Sequence, residues 1–166
     1  EAADKVRLLH FFERVPAEDR FYLKENVTAP EVVPAWTSCI DFERVIPIVA
    51  LVDGEIAGDG TLHRSRAAAR RHVGELRIVV DPIFRERGLG RRLIRELLDV
   101  AADLGLHLVT FELVVHREKP AIVAAQSLGF REVAILRERI RDMWGNFQDV
   151  VLLEMPLKDA QLWWRF

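Results

Sequence analysis

The stretch from His72 to Val115 constrains the fold most. It holds an apolar run, "HVGELRIVVDP", stopped by Pro82, then "GLGRRLIRELLDVAADLG", then a second apolar run, "HLVTFELVV". In the middle piece Leu89, Leu93, Leu97, Ala101 and Leu104 recur at helical spacing, and Gly105 ends the pattern. A strand, a helix and a strand in that order need a crossover, so the two strands lie parallel in one sheet.

The rest reads as antiparallel. "RVIPIVALVDGEIAGDGTLHR" is two apolar runs around Asp53-Gly54, a dipeptide suited to a tight hairpin turn. Beyond the crossover come a short helix in "KPAIVAAQSL", a strand in "GFREVAILRERI", a turn in "RDMWGNFQD" and a last strand in "VVLLEMPL". Upstream, "EAADKVRLLHFFERV" reads as a helix with Asp4 as N-cap and Pro16 as its end. "PAEDRFYLKENVTAP" reads as a loop or short helix, and "PEVVPAWTSCI" as a weaker second helix. The fold class is therefore mixed α/β: a central, mostly antiparallel sheet with one βαβ crossover, flanked by helices, forming a single domain over residues 1–166.

The mouth of the crossover helix, "DPIFRERGLGRRL", carries four arginines and two glycines. A helix N-terminus has free N–H groups and a positive dipole end, and glycines let a ligand approach the backbone. Arg85, Arg87, Arg91 and Arg92 add charge-assisted donors. A dinucleotide fingerprint would need glycine where Leu93 stands, and a P-loop would need Gly-Lys-Ser/Thr. What remains is R-x-x-G-x-G, which on spacing alone fits a phosphate cradle and a solvated helix cap equally well.

Bulk properties exclude other classes. The net charge of −2 gives no general pull toward nucleic acid or anionic membranes. The arginine-rich connector Arg64 to Arg71 has no interleaved aromatics and reads as a solvated loop rather than a nucleic-acid patch. Cys39 is the only cysteine and reads as a small buried residue, and the five histidines show no metal-ligand spacing, so no metal is expected. No signal peptide or membrane span is visible, so the default location is the cytoplasm. The chain begins at Glu1, which leaves room for residues upstream.

Together, "IVVDPIFRERGLGRRL", "VTFELV" and "AIVAAQSLGF" resemble the GNAT family of N-acetyltransferases over roughly Val45 to Leu157. The resemblance implies an acetyl group moving from acetyl-coenzyme A (acetyl-CoA), as co-substrate, to an amine. It implies that the backbone of Ile78, Val79 and Val80 holds the acetyl group and pantetheine arm. It implies that Arg85, Glu86, Arg87, Gly88, Leu89, Gly90 and Arg91 wrap the pyrophosphate with Arg92 close by. The attacking amine must lose a proton, and Glu112, a charge inside an apolar strand, matches the base of some family members. Glu75 is the second candidate.

Three departures from the family pattern stand out. Ala125 occupies the position of the usual tyrosine acid, Glu118 that of a cofactor-contacting asparagine, and the family's first strand is missing. The family's acceptor site maps to about Pro16 to Thr28 and Arg141 to Phe147, with Tyr22, Glu25, Asp142 and Trp144 as lining. The expected partner is an amine-bearing small molecule or protein, with neither nucleic acid nor membrane. The tail residues Leu162, Trp163, Trp164 and Phe166 would form an apolar patch if exposed, so they are expected to pack on the domain or across a homodimer. Two rivals follow from the same residues: a non-catalytic acyl-CoA-binding regulatory domain, and a nucleotide enzyme using the glycine loop for ATP.

Overall fold

The computed structural model describes residues 4–38 and 40–157. In chain order the elements are α1 (Lys5–Arg14), α2 (Ala17–Arg20), α3 (Val32–Ser38), β1 (Val45–Val52), β2 (Glu55–Arg64), β3 (Val73–Val80), α4 (Leu89–Asp103), β4 (Leu108–Val114), α5 (Lys119–Ser127), β5 (Arg131–Arg141) and β6 (Phe147–Pro156). The strands form one six-stranded sheet in the order β1-β2-β3-β4-β6-β5. The β3–β4 pair is parallel and every other neighbouring pair is antiparallel. Among the described residues no strand precedes α1. Cys39 and the aromatic tail lie outside the described residues.

The β1–β2 hairpin turns at Asp53 and Gly54, both at positive φ. Such a turn matches the right-handed twist of the strands it joins. The last hairpin is tighter than its sequence suggests, because β6 begins at Phe147 rather than at Val150. Asp142 explains this. Its carboxylate accepts from the N–H groups of Trp144 and Asn146 and from the side chains of Asn146 and Gln148, which knots the turn shut.

Helices cover both faces of the sheet. On one face α4 buries Leu93, Ile94, Leu97, Leu98 and Ala101 against Leu62, Leu76, Val109, Phe111, Val151 and Leu153. Burial of each large aliphatic side chain there contributes about 1.5–3 kcal/mol. Gly58 and Gly60 of β2 let α4 lie close, since a Cβ on either would stand 2.9 Å from Leu93 or 3.0 Å from Leu97. On the other face a smaller cluster joins Phe11 and Phe12 of α1, and Val15 just after it, with Val27, Val33, Trp36, Val49 and Val79.

Candidate active site

The two parallel strands do not stay together. β3 and β4 pair from Val73–Leu108 to Leu76–Phe111 and no further, although β3 runs on to Val80 and β4 to Val114. Beyond Leu76, β3 has a sheet neighbour only on its β2 side, where Ile78, Val79 and Val80 pair with Gly60, Asp59 and Gly58. A cleft thus opens along Ile78–Val80, whose backbone groups on the β4 side lack a sheet partner. These three residues are half-buried, not the fully enclosed strand that their apolar character suggests.

The glycine loop sits at the open end of this cleft. Gly88 caps α4 with φ 80°, a left-handed conformation that favours glycine. The helical ladder opens with the Arg92 N–H donating to the Gly88 carbonyl at 3.0 Å, so the N–H groups of Leu89, Gly90 and Arg91 lie ahead of it. Arg91, Arg92 and Arg95 line an open recess with Gly88 and Glu96. Arg95, one turn beyond Arg91, escaped the sequence motif. Arg87 lies over the Phe84 ring at 5.8 Å, and Glu86 takes a positive φ of 59° in the loop.

Arg85 is already engaged. It donates to the Val80 carbonyl at 3.0 Å and to Asp19 of α2 at 2.8 Å. Asp19 also accepts two hydrogen bonds from Arg117, which follows β4. One carboxylate of α2 therefore joins the end of β3 to the end of β4 across the mouth of the cleft. Burial pushes Asp19 upward, but the hydrogen bonds from Arg117 and Arg85 outweigh it and hold the carboxyl below its usual range. Arg14 of α1 ties the same region from beneath, donating to buried Asp81 at 2.6 Å and to the Ile56 carbonyl at 2.7 Å.

Alternation along the strands puts Asp59, Thr61 and His63 of β2, Glu75 and Arg77 of β3, and Thr110 and Glu112 of β4 on the face away from α4. The two sequence candidates differ sharply there. Glu75 is held by Lys24 and Arg77; burial raises its carboxyl, and these partners override that and lower it. Glu112 is exposed, and its carboxylate makes no hydrogen bond or ion pair with the described residues.

Asp59, part of none of the sequence motifs, is half-buried with no hydrogen bond or ion pair to any described residue. Burial alone pushes its carboxyl up to about 7. His63 shares a hydrogen bond of 2.9 Å with Thr61, and burial, then Arg77, pushes its imidazole down to about 4.

Ala125 is fully buried in the core beneath α4, so the usual tyrosine position offers no donor. Glu118 N-caps α5 and accepts from the Val114 N–H at 2.6 Å; burial raises its carboxyl. Tyr22, the one tyrosine of the chain, lies under the Arg117 guanidinium at 5.4 Å, and desolvation chiefly raises its phenol. Of the other expected acceptor residues, Glu25 accepts from the Trp36 indole at 3.0 Å and Trp144 is exposed. Asp142 is spent on its own turn. No helix among the described residues is long and apolar enough to cross a membrane.

The acetyltransferase (GNAT) family model matches residues 9–130. The chain is 37% identical over 81 residues to the [ribosomal protein bS18]-alanine N-acetyltransferase of Salmonella typhimurium, covering 48% of this chain and 53% of that protein. It is 32% identical over 84 residues to the L-amino acid N-acetyltransferase AaaT of Escherichia coli, covering 50% and 51% respectively. The chain thus spans about half the length of the curated relatives it matches. Among solved structures, yncA from Salmonella typhimurium with its cofactor acetyl-CoA superposes with a TM-score of 0.77 at 20% identity, covering 95% of this chain and 90% of that one. At that identity the likeness carries the fold.

Proposed function

The chain belongs to the acetyltransferase (GNAT) family, and from that premise we propose that it transfers the acetyl group of acetyl-CoA directly to an amine. The observation that carries this is the β3–β4 cleft with the free helix terminus of α4 at its open end. Backbone groups along Ile78–Val80 that face away from β2 suit the amide-bearing pantetheine arm, though the Val80 carbonyl is held by Arg85, and a Val80-side N–H suits the developing oxyanion. Leu89, Gly90 and Arg91 N–H groups, with Arg87, Arg91, Arg92 and Arg95, suit the pyrophosphate. Arg85 would join them only by sharing its hold on Asp19, and Glu86 contributes backbone alone.

The acceptor approaches on the face away from α4. Of the two sequence candidates, Glu112 has the free carboxylate and is the residue proposed to meet the amine, whereas Glu75 belongs to its ion pairs. Relatives that act on a protein's alanine terminus and on free amino acids both use an α-amine, so an α-amine is the acceptor to try first. Acetyl-CoA is too highly charged to cross a bilayer unaided, which puts the reaction on the cytoplasmic side.

The test is a thiol-release screen of purified protein with acetyl-CoA against L-amino acids, alanine-initiated peptides and polyamines. Thiol release with an acetylated product supports the reading. Saturable acetyl-CoA binding with no release on any amine would instead support a regulatory domain.

A further inference from the structure

We propose that the acceptor is a free α-amino acid in its zwitterionic form, with its carboxylate held by Arg77 and its ammonium by Glu112. This rests on the acetyl-transfer reading above and narrows it. The cleft between β3 and β4 has two ends. The glycine loop marks the open end, beyond Val80, so the arm of acetyl-CoA runs back from its phosphates along Ile78–Val80. The thioester then lies toward the closed end, where the last β3–β4 pair is Leu76–Phe111. The first residues past that pair are Arg77 on β3 and Glu112 on β4. Leu76 and Phe111 point into the core under α4, so alternation turns Arg77 and Glu112 to the opposite face, the one from which the acceptor comes.

Two opposite charges thus stand at the same level on the two lips of the parting strands, and they do not pair with each other. Arg77 leans back along its own strand, where its Nε donates to a Glu75 carboxylate oxygen at 3.0 Å. Its two terminal nitrogens make no hydrogen bond with any described residue, and the side chain is partly exposed. Those nitrogens are free to grip a carboxylate in the two-pronged mode that suits a guanidinium. The local charge favours an anion there. The same Glu75 oxygen accepts from Lys24, so one carboxylate serves two cations and the group keeps a net positive charge. Neither Lys24 nor Arg77 has another acidic partner among the described residues. Across the gap, Glu112 is exposed and unpartnered.

Opposite charges that face one gap without pairing suit a ligand that carries both. An α-amino acid has its ammonium and its carboxylate on a single carbon. A peptide terminus has a neutral carbonyl in place of the carboxylate, and a polyamine brings a second cation that Arg77 and Lys24 repel. The site therefore ranks free amino acids first, peptide termini next and polyamines last. Acetylation turns the ammonium into a neutral amide, so Glu112 loses its partner and the product is held by its carboxylate alone, which favours its release.

The experiment measures kcat/KM for L-amino acids and for their α-carboxamides, which keep the amine and the side chain and lose only the carboxylate charge. The enzymes are wild type, Arg77→Gln and Arg77→Lys. Wild type should prefer an amino acid over its own amide by roughly 10- to 100-fold, the range of a hydrogen bond to a charged group. Arg77→Gln should close that gap to within a few-fold, chiefly by raising KM for the amino acid, and Arg77→Lys should keep part of it. Equal use of acid and amide by wild type overturns the proposal and needs no variant, as does turnover of peptides or polyamines alone. A gap that survives intact in folded Arg77→Gln overturns it too. In all three cases acetyl transfer to an amine still stands. A wild-type protein that binds no acetyl-CoA, or releases thiol with no amine, defeats the underlying reading instead, and with it this one.

Discussion

The two faces of the sheet do different work. The face under α4 is apolar without interruption, from Leu62 and Leu76 through Val109 and Phe111 to Leu153. The face under α1 and α3 mixes an aromatic cluster with Asp59, Thr61, His63, Glu75, Arg77 and Glu112. A buried polar group lowers stability unless it is paired, so an unpaired one calls for a reason. The α4 face is a packed apolar platform and the other face carries the titratable groups, with the glycine-capped helix joining the two at the cleft.

Three substitutions sharpen that contrast, taken from the largest expected effect. Leu97→Ala, in the fully buried centre of α4, should lower the free energy of unfolding by about 2–5 kcal/mol in urea titrations. A loss below 1 kcal/mol there would mean the α4 face is not the platform described. Glu112→Gln should lower kcat/KM for the amine, by roughly 10²-fold if its carboxylate is the general base. A fall in kcat points to the base role that the sequence reading gave Glu112, and a rise in KM alone to capture of the ammonium. Asp19→Asn should loosen the tie between the cofactor loop and α2, raising KM for the amine a few-fold. Calorimetry should find the acetyl-CoA Kd little changed; a large loss would make Asp19 part of the cofactor site.

Titrations set the same faces apart. Folding lowers the His63 ionisation from 6.5 to about 4, so the native state favours the neutral ring. Its contribution to stability is complete above pH 6.5 and is lost as pH falls toward 4. His63→Gln should therefore flatten that part of the stability–pH curve in thermal melts. Asp59 has the opposite sense: its carboxyl is raised from 3.8 to about 7, so the native state favours the protonated form. Stability from this group is complete below pH 3.8 and lost as pH rises through about 7. Above pH 7, Asp59→Asn should then melt several degrees higher than wild type. An unchanged melting temperature would remove burial as the cause of its shift.

The local chemistry of the chain made much of this legible. The crossover and its parallel pair followed from helical spacing between two apolar runs, and the first hairpin from Asp53-Gly54. The R-x-x-G-x-G spacing marked the α4 terminus but not Arg95, which needs the helical turn to bring it beside Arg91. Long-range partners were out of reach. Nothing near Glu75 announces Lys24, 51 positions away, or near Asp19 announces Arg117, 98 positions away. Asp59 carries the signal that picked out Glu112, a charge inside a strand. It was passed over inside the second strand of the first hairpin, and only docking of α4 reveals why its flanking glycines are there. The start of β6 was missed for a similar reason, since one Asp142 carboxylate closes the turn with bonds that composition does not foretell.

The central claim, that the parted strands and the α4 terminus hold acetyl-CoA, meets its most direct test in calorimetric titration of acetyl-CoA into wild type and Gly90→Asp. A Cβ at Gly90 meets nothing nearer than Val80 at 3.6 Å, so the variant should fold. Its carboxylate, though, stands where the phosphates would lie. Wild type should bind saturably at one-to-one stoichiometry, and Gly90→Asp not detectably at the same concentrations. Equal affinities in two folded proteins would contradict it and reduce the loop to a helix cap.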